Sequence, residues 1–126
     1  MSKNVTFQSL NKVPNSIEAE VAVLGGLMLD NNSWEKINDI VQVTDFYNQQ
    51  NRKIYSCILE LVNENIPFDV VTINEKANIE NDQSFTSYLS EIIDQTPSAA
   101  NIKAYATIVR EQSILRQLIN ISNNLI

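Results

Sequence analysis

Histidine is absent from this chain, and that one gap removes two large classes of chemistry. A Ser-His-Asp triad has no base, and zinc loses the ligand it most often shares with cysteine. Cysteine is almost as scarce, since Cys57 stands alone. No intrachain disulfide can form, which suits a reducing compartment. As a nucleophile Cys57 lacks a base, and its place inside an apolar helical pattern reads as a small core residue. Glycine and proline number only two and three. That is too few for the turns of a β-sandwich and in keeping with a helical fold. The glycines, Gly25 and Gly26, fit neither G-x-G-x-x-G nor G-K-[ST], so close helix packing explains them better than a phosphate cradle.

Positive charge is thin as well. Nine Lys and Arg face fifteen Asp and Glu, a formal charge of −6 with a pI of about 4.5, and Arg52-Lys53 is the one adjacent basic pair. A surface of that sign repels phosphate. Tyr47, Tyr55 and Tyr88 also lack the interleaved basic residues of base-stacking platforms. Binding of single-stranded DNA is therefore the weaker alternative for this chain. No run of residues approaches a membrane span, and Met1 to Val13 shows neither a signal-peptide core nor an Arg-rich amphipathic pattern. The default compartment is the cytoplasm.

What is present is enough for one ordinary folded domain: 126 residues, 44% hydrophobic, with a mean hydropathy of −0.15. Residues 1–13 are polar and aperiodic and are expected to form a flexible arm. From Asn15, with Glu18 three residues on as a capping box, Ile17, Val21, Leu24 and Met28 keep helical spacing to Asp30. Asn31, Asn32 and Ser33 offer caps for a short helix carrying Trp34, Ile37, Ile40 and Val41, with Trp34 as a core plug. Asp45-Phe46-Tyr47 leads into a helix with Ile54, Ile58, Leu61 and Val62 on one side. Ile66 to Val71 reads as a packed linker, since no partner strand exists for it. Thr72-x-x-Glu75 is a capping box by spacing and opens a helix through Ile79. A turn at Asn81-Asp82-Gln83 precedes a helix capped by Ser84 and holding Phe85, Leu89, Ile92 and Ile93, with Tyr88 at the edge of its stripe. The expected class is all-α: a compact irregular bundle of about six helices ending in a long C-terminal helix.

That last helix, expected from Pro97 to Ile126 with Thr96 as its cap, carries the most information. At about 100° per residue, Ile102, Tyr105, Ala106, Ile108 and Val109 share one face, whereas Ile114, Leu118, Ile121 and Leu125 lie roughly opposite. One helix then needs two packing partners. A helix buried on all sides at a domain centre gives the same pattern; the preferred expectation is a chain that continues beyond Ile126 and covers the second stripe with a partner.

Residues that carry catalysis are not evident. Glu18, Glu20 and Asp30 lie along one helix, where acidic side chains in a first turn offset the helix dipole. Asp69 beside Thr72 reads as a turn and cap residue. Arg110, Glu111 and Arg116 read as surface i,i+4-type pairs or solvated charges, worth a few tenths of a kcal/mol. An independent small enzyme is disfavoured, because acid–base catalysis needs groups that no cluster here supplies.

Several strings in one order resemble the bacterial replicative DNA helicase family, the DnaB family. They begin with Pro14-Asn15-Ser16-Ile17-Glu18-Ala19-Glu20 and Val23-Leu24-Gly25-Gly26-Leu27. Asp45-Phe46-Tyr47, Arg52-Lys53-Ile54-Tyr55, Pro67-Phe68-Asp69-Val70-Val71-Thr72 and Tyr88-Leu89 follow. Thr96 to Ile102, Tyr105 to Glu111 and Leu115-Arg116-Gln117-Leu118-Ile119 complete the series. The resemblance covers about residues 14 to 122. The family commonly has His where this chain has Asn51, Gly near Asn65, and Gly-Gly where this chain has Gln83-Ser84.

The resemblance implies a non-catalytic amino-terminal collar domain over residues 14–126. The linker and the RecA-like motor, with its ATP, Mg and arginine finger, would lie beyond Ile126. It further implies a long helix that is the first arm of a helical hairpin, self-association into dimer pairs within a hexamer, and docking of the primase C-terminal domain. DNA would be met through the motor, and no membrane is involved. Ile114, Leu118, Ile119, Ile121 and Leu125 are the candidate pairing and partner-facing residues. Glu18, Tyr88 and Ile119 are candidates for primase contact; burial of Ile119 in the core and simple solvation of Glu18 are equally open.

Overall fold

The computed structural model describes residues 13–78 and 82–125. The expected arm, Val13 apart, lies outside those residues, as do the expected helix end at Ile79, Asn81 of the expected turn, and Ile126. Among the described residues there are six α-helices and no strand: α1 Ile17–Leu29, α2 Trp34–Ile37, α3 Gln49–Asn63, α4 Val70–Ala77, α5 Gln83–Gln95 and α6 Ile102–Asn124. Short 3₁₀ turns at Asn31–Ser33 and Val43–Asp45 precede α2 and lie between α2 and α3. The chain is all-α, as its pattern of stripes and caps implied.

α1 is the centre of the domain, packed by α3, α5 and α6. Its buried residues, Ala19, Glu20, Val23, Leu24, Leu27 and Met28 with both glycines, run almost all round the helix, while Ile17 is exposed. The stripe expected from Ile17, Val21, Leu24 and Met28 is therefore corrected at Ile17, while the close packing expected at Gly25 and Gly26 is present; a helix surrounded on several sides needs apolar or small residues on each of them. A Cβ at Gly25 would meet the Thr96 side chain, and one at Gly26 would meet Ile102 and the backbone of Ala99. α6 runs antiparallel to α1, because Gly26 near the end of α1 meets Ile102, and Pro14 before its start meets Arg116. Phe46, Tyr55 and Trp34 fill the space beside them with ring centroids 4.8 and 5.5 Å apart, Trp34 being half-buried rather than a full plug. Cys57 is buried, and burial pushes its thiol up from the ordinary value.

The caps differ from expectation by one to three residues. Ser16, not Asn15, caps α1 by accepting from the Ala19 amide. The Asp69 carboxylate accepts from the Thr72 amide while the Thr72 hydroxyl accepts from the Asp69 amide, so the capping box is Asp69-Thr72 rather than Thr72-Glu75. Asp82 caps α5 by accepting from the amides of Ser84 and Phe85, the role expected of Ser84. In each case the residue that wins stands at extended or non-helical angles just before the first helical residue, which is the geometry capping needs. Asn65 has φ 60°, the left-handed region that asparagine tolerates better than most residues. That explains how the chain turns there without the glycine common in the family it resembles.

Thr96 and Pro97 are corrected too. Thr96 closes α5, donating its hydroxyl to the Ile92 carbonyl at 2.8 Å. Pro97 follows a helix end, a common position for a residue that cannot continue one. α6 starts five residues later, at Ile102.

Candidate interaction surface

α6 divides at Ser113. Ile102, Ala106, Val109 and Ser113 are buried against the body, whereas from Ile114 to Leu125 every residue but Arg116 is exposed. Ile114 is 40% exposed, Leu118 55%, Ile119 40%, Ile121 56% and Leu125 83%. The first face is also narrower than expected, for Tyr105 and Ile108 are one-third exposed. The outward apolar residues fall into two stripes. Ile114, Leu118, Ile121 and Leu125 form one; Tyr105, Ile108, Leu115 and Ile119 form the other, roughly a third of a turn away at about 100° per residue. A contiguous apolar surface of this kind marks an interaction site or an aggregation hazard.

Arginines fix the direction of this helix. Arg110 donates from Nη1 to Oδ1 of the buried Asp45 at 2.8 Å, and Oδ2 of Asp45 accepts from the Gln42 amide at 2.7 Å. Arg116 donates to the carbonyls of Pro14 and Asp45 at 2.9 and 2.6 Å and lies 5.4 Å from the Tyr47 ring centroid. The expectation that both are surface pairs or solvated charges is thus corrected. Each reaches across the fold to a loop that needs donors, and together they hold α6 at the point where it leaves the body.

Tyr88 of α5 is half-buried and turned inward. Its hydroxyl donates to Oδ1 of Asn51 at 2.6 Å, and Nδ2 of Asn51 donates to Oε1 of Glu20 at 2.9 Å. Glu20, 1% exposed, also accepts from the amides of Tyr47 and Asn48 just before α3. Burial raises the Tyr88 hydroxyl above its ordinary pKa. Glu20 was read as an ordinary first-turn acid. Its three donors lie 27 to 31 residues away, so neither spacing nor composition revealed the link.

Glu18 is exposed on α1 and borders a cavity of about 430 Å³ with Val21, Ala22, Thr96 and Tyr105. Tyr88 is not in its wall. The candidate residues therefore occupy three places: the Glu18 cavity, the Tyr88 network, and the bare half of α6 that holds Ile119. Among the described residues, no group of three Cys, Asp or Glu gathers as a cation site, and no helix is long and apolar enough to cross a membrane.

Residues 12–111 match the family model for the DnaB-like helicase N terminal domain. The replicative DNA helicase DnaB of Buchnera aphidicola subsp. Baizongia pistaciae is 40% identical over 123 residues, which is 94% of this chain and 26% of the relative. The chain thus spans about a quarter of the length of the curated relatives it matches. The crystal structure of the N-terminal domain of DnaB helicase from Mycobacterium tuberculosis superposes with a TM-score of 0.84 at 29% identity, covering 90% of this chain and 83% of that one. The N-terminal domain of DnaB helicase from Helicobacter pylori, described together with its interactions with primase, gives 0.74 at 26% identity, covering 94% and 93%.

Proposed function

The chain belongs to the DnaB-like helicase N-terminal domain family, and on that premise we propose that it is the non-catalytic collar of a replicative helicase, serving hexamer assembly and primase docking in the cytoplasm. The observation that carries this reading is the bare second half of α6. Ile114, Leu118, Ile119, Ile121 and Leu125 are exposed on a helix whose first half is firmly seated and whose direction is fixed by Arg110 and Arg116. A rigid arm with apolar flanks is a surface prepared for another chain. The primase interactions described for the Helicobacter pylori domain support docking of the primase C-terminal domain, with Glu18, Tyr88 and Ile119 as its contacts. Tyr88 would offer its ring rather than its hydroxyl, which is already engaged.

ATP and Mg²⁺ chemistry belongs to a motor domain, since this chain carries no phosphate-loop spacing. Direct binding of single-stranded DNA gains nothing from the structure. Of the few cations, Arg52, Lys76, Arg110 and Arg116 are all engaged within the fold. Calorimetric titration of a primase C-terminal domain into this chain tests docking. Saturable binding is expected; no heat at any temperature, with both partners folded, overturns it.

A further inference from the structure

We infer that the cavity between α1 and the start of α6 is a socket for an arginine side chain carried by the docking partner. The inference rests on the docking reading and adds to it the chemistry of one contact. At about 430 Å³ the cavity lies within the roughly 300–1,000 Å³ typical of ligand clefts, ample for one long side chain. Val21 and Ala22 on one side and the Tyr105 ring on the other give it apolar walls, and Glu18, Gln95 and Asn101 give it polar ones.

Glu18 is the decisive group. Among the described residues it has no ion-pair partner, although its carboxyl group borders the cavity. Two helix ends also reach this wall, the last turn of α5 at Gln95 and the N-cap of α6 at Asn101. Each end contributes about half a charge, negative from α5 and positive from α6. They offset one another, so the carboxylate sets the sign and an anion is repelled. Gln95 adds an acceptor, because its Nε2 already donates to Glu91 while its oxygen stays free.

Arginine matches this combination better than lysine. Its planar fork meets a carboxylate with two donors, its plane stacks on the exposed ring of Tyr105, and its aliphatic stem lies on Val21 and Ala22. Tyr105 also begins the stripe that runs through Ile108 and Leu115 to Ile119. A partner lying along that stripe therefore arrives with a residue at the mouth of the socket.

The test uses this chain, N-acetyl-arginine-amide at millimolar concentration, and amide chemical shifts. Saturable shifts are expected around Glu18, Ala22 and Tyr105, weaker ones with N-acetyl-lysine-amide, and none with N-acetyl-norleucine-amide. Glu18→Gln and the cavity-filling Ala22→Leu should each weaken the arginine response about five-fold or more. Equal response to norleucine, preference for N-acetyl-glutamate-amide, or no shift at these residues overturns the socket. A second arm titrates the primase C-terminal domain into wild type and the same two variants. Absence of binding to wild type sinks the docking reading, whereas binding that both variants leave unchanged sinks the socket and spares docking.

Discussion

Alanine at Gly25 should destabilise this fold even though alanine is the better helix former. In an ordinary helix interior the exchange gains about 1 kcal/mol. Here the new Cβ would stand 1.9 Å from Oγ1 and 2.7 Å from Cβ of Thr96. Thr96 is buried and cannot swing aside without losing its bond to the Ile92 carbonyl, a loss of about 1 kcal/mol. Moving the end of α5 away from α1 instead costs about 1–3 kcal/mol as overpacking. Set against the gain of about 1 kcal/mol, the balance is a net loss of up to roughly 2 kcal/mol. Gly26 is the internal control. Its Cβ would meet the tip of Ile102 at 3.0 Å and the Ala99 backbone only at 3.5 Å, and the flexible tip can yield. Gly26→Ala should therefore be neutral or stabilising by up to about 1 kcal/mol. Urea midpoints with unchanged m-values measure both. Thr96→Ala in the Gly25→Ala background removes the nearest contact but leaves the one at 2.7 Å, so it should recover part of the loss, seen as coupling in a double-mutant cycle. Gly25→Ala more stable than Gly26→Ala would refute the packing argument.

Glu20→Gln swaps a pure acceptor for a group that turns a donor toward at least one of its three donors. It should lower unfolding free energy by about 1–3 kcal/mol, read by urea titration. Tyr88→Phe leaves Oδ1 of the buried Asn51 without its donor. It should cost about 1–2 kcal/mol in stability while leaving primase affinity within about two-fold, because the ring remains; Tyr88→Ala should weaken both. The carboxyl of Asp82 is held below its ordinary pKa by the Ser84 hydroxyl first and the Phe85 amide next. A group lowered in this way adds stability above its unfolded pKa and loses it as pH falls through the folded one. Thermal midpoints between about pH 5 and pH 2 should then fall more steeply in wild type than in Asp82→Asn.

Which parts of the molecule could be read from the chain follows from how far apart the interacting residues are. Helix existence is a local property, and Ile54, Ile58 and Leu61 or Phe85, Leu89 and Ile92 declare their buried faces by spacing alone. Caps were harder because Asn15-Ser16 and Asp82-Ser84 each offer two competent oxygens within a few residues, and backbone geometry selects between them. The second packed side of α1 was legible from Gly25 and Gly26, which lie against Thr96 and Ile102, whereas the exposure of Ile17 was not, because spacing alone does not say where a buried stripe ends. The bare flank of α6 was legible, since two stripes on one helix exceed what one body can cover. The arginine clamps and the Tyr88-Asn51-Glu20 chain were not, because they join residues 27 to 102 positions apart and leave no periodic trace.

Aspartate at Leu118 and Ile121 tests most directly whether the exposed flank of α6 is an assembly surface. Both residues are more than half exposed, so the double variant should change the unfolding free energy of this chain, read by urea titration, by less than about 1 kcal/mol in total. In the helicase carrying these substitutions, sedimentation should show the hexamer giving way to smaller species at concentrations where wild type remains assembled. An undiminished hexamer would contradict the collar reading.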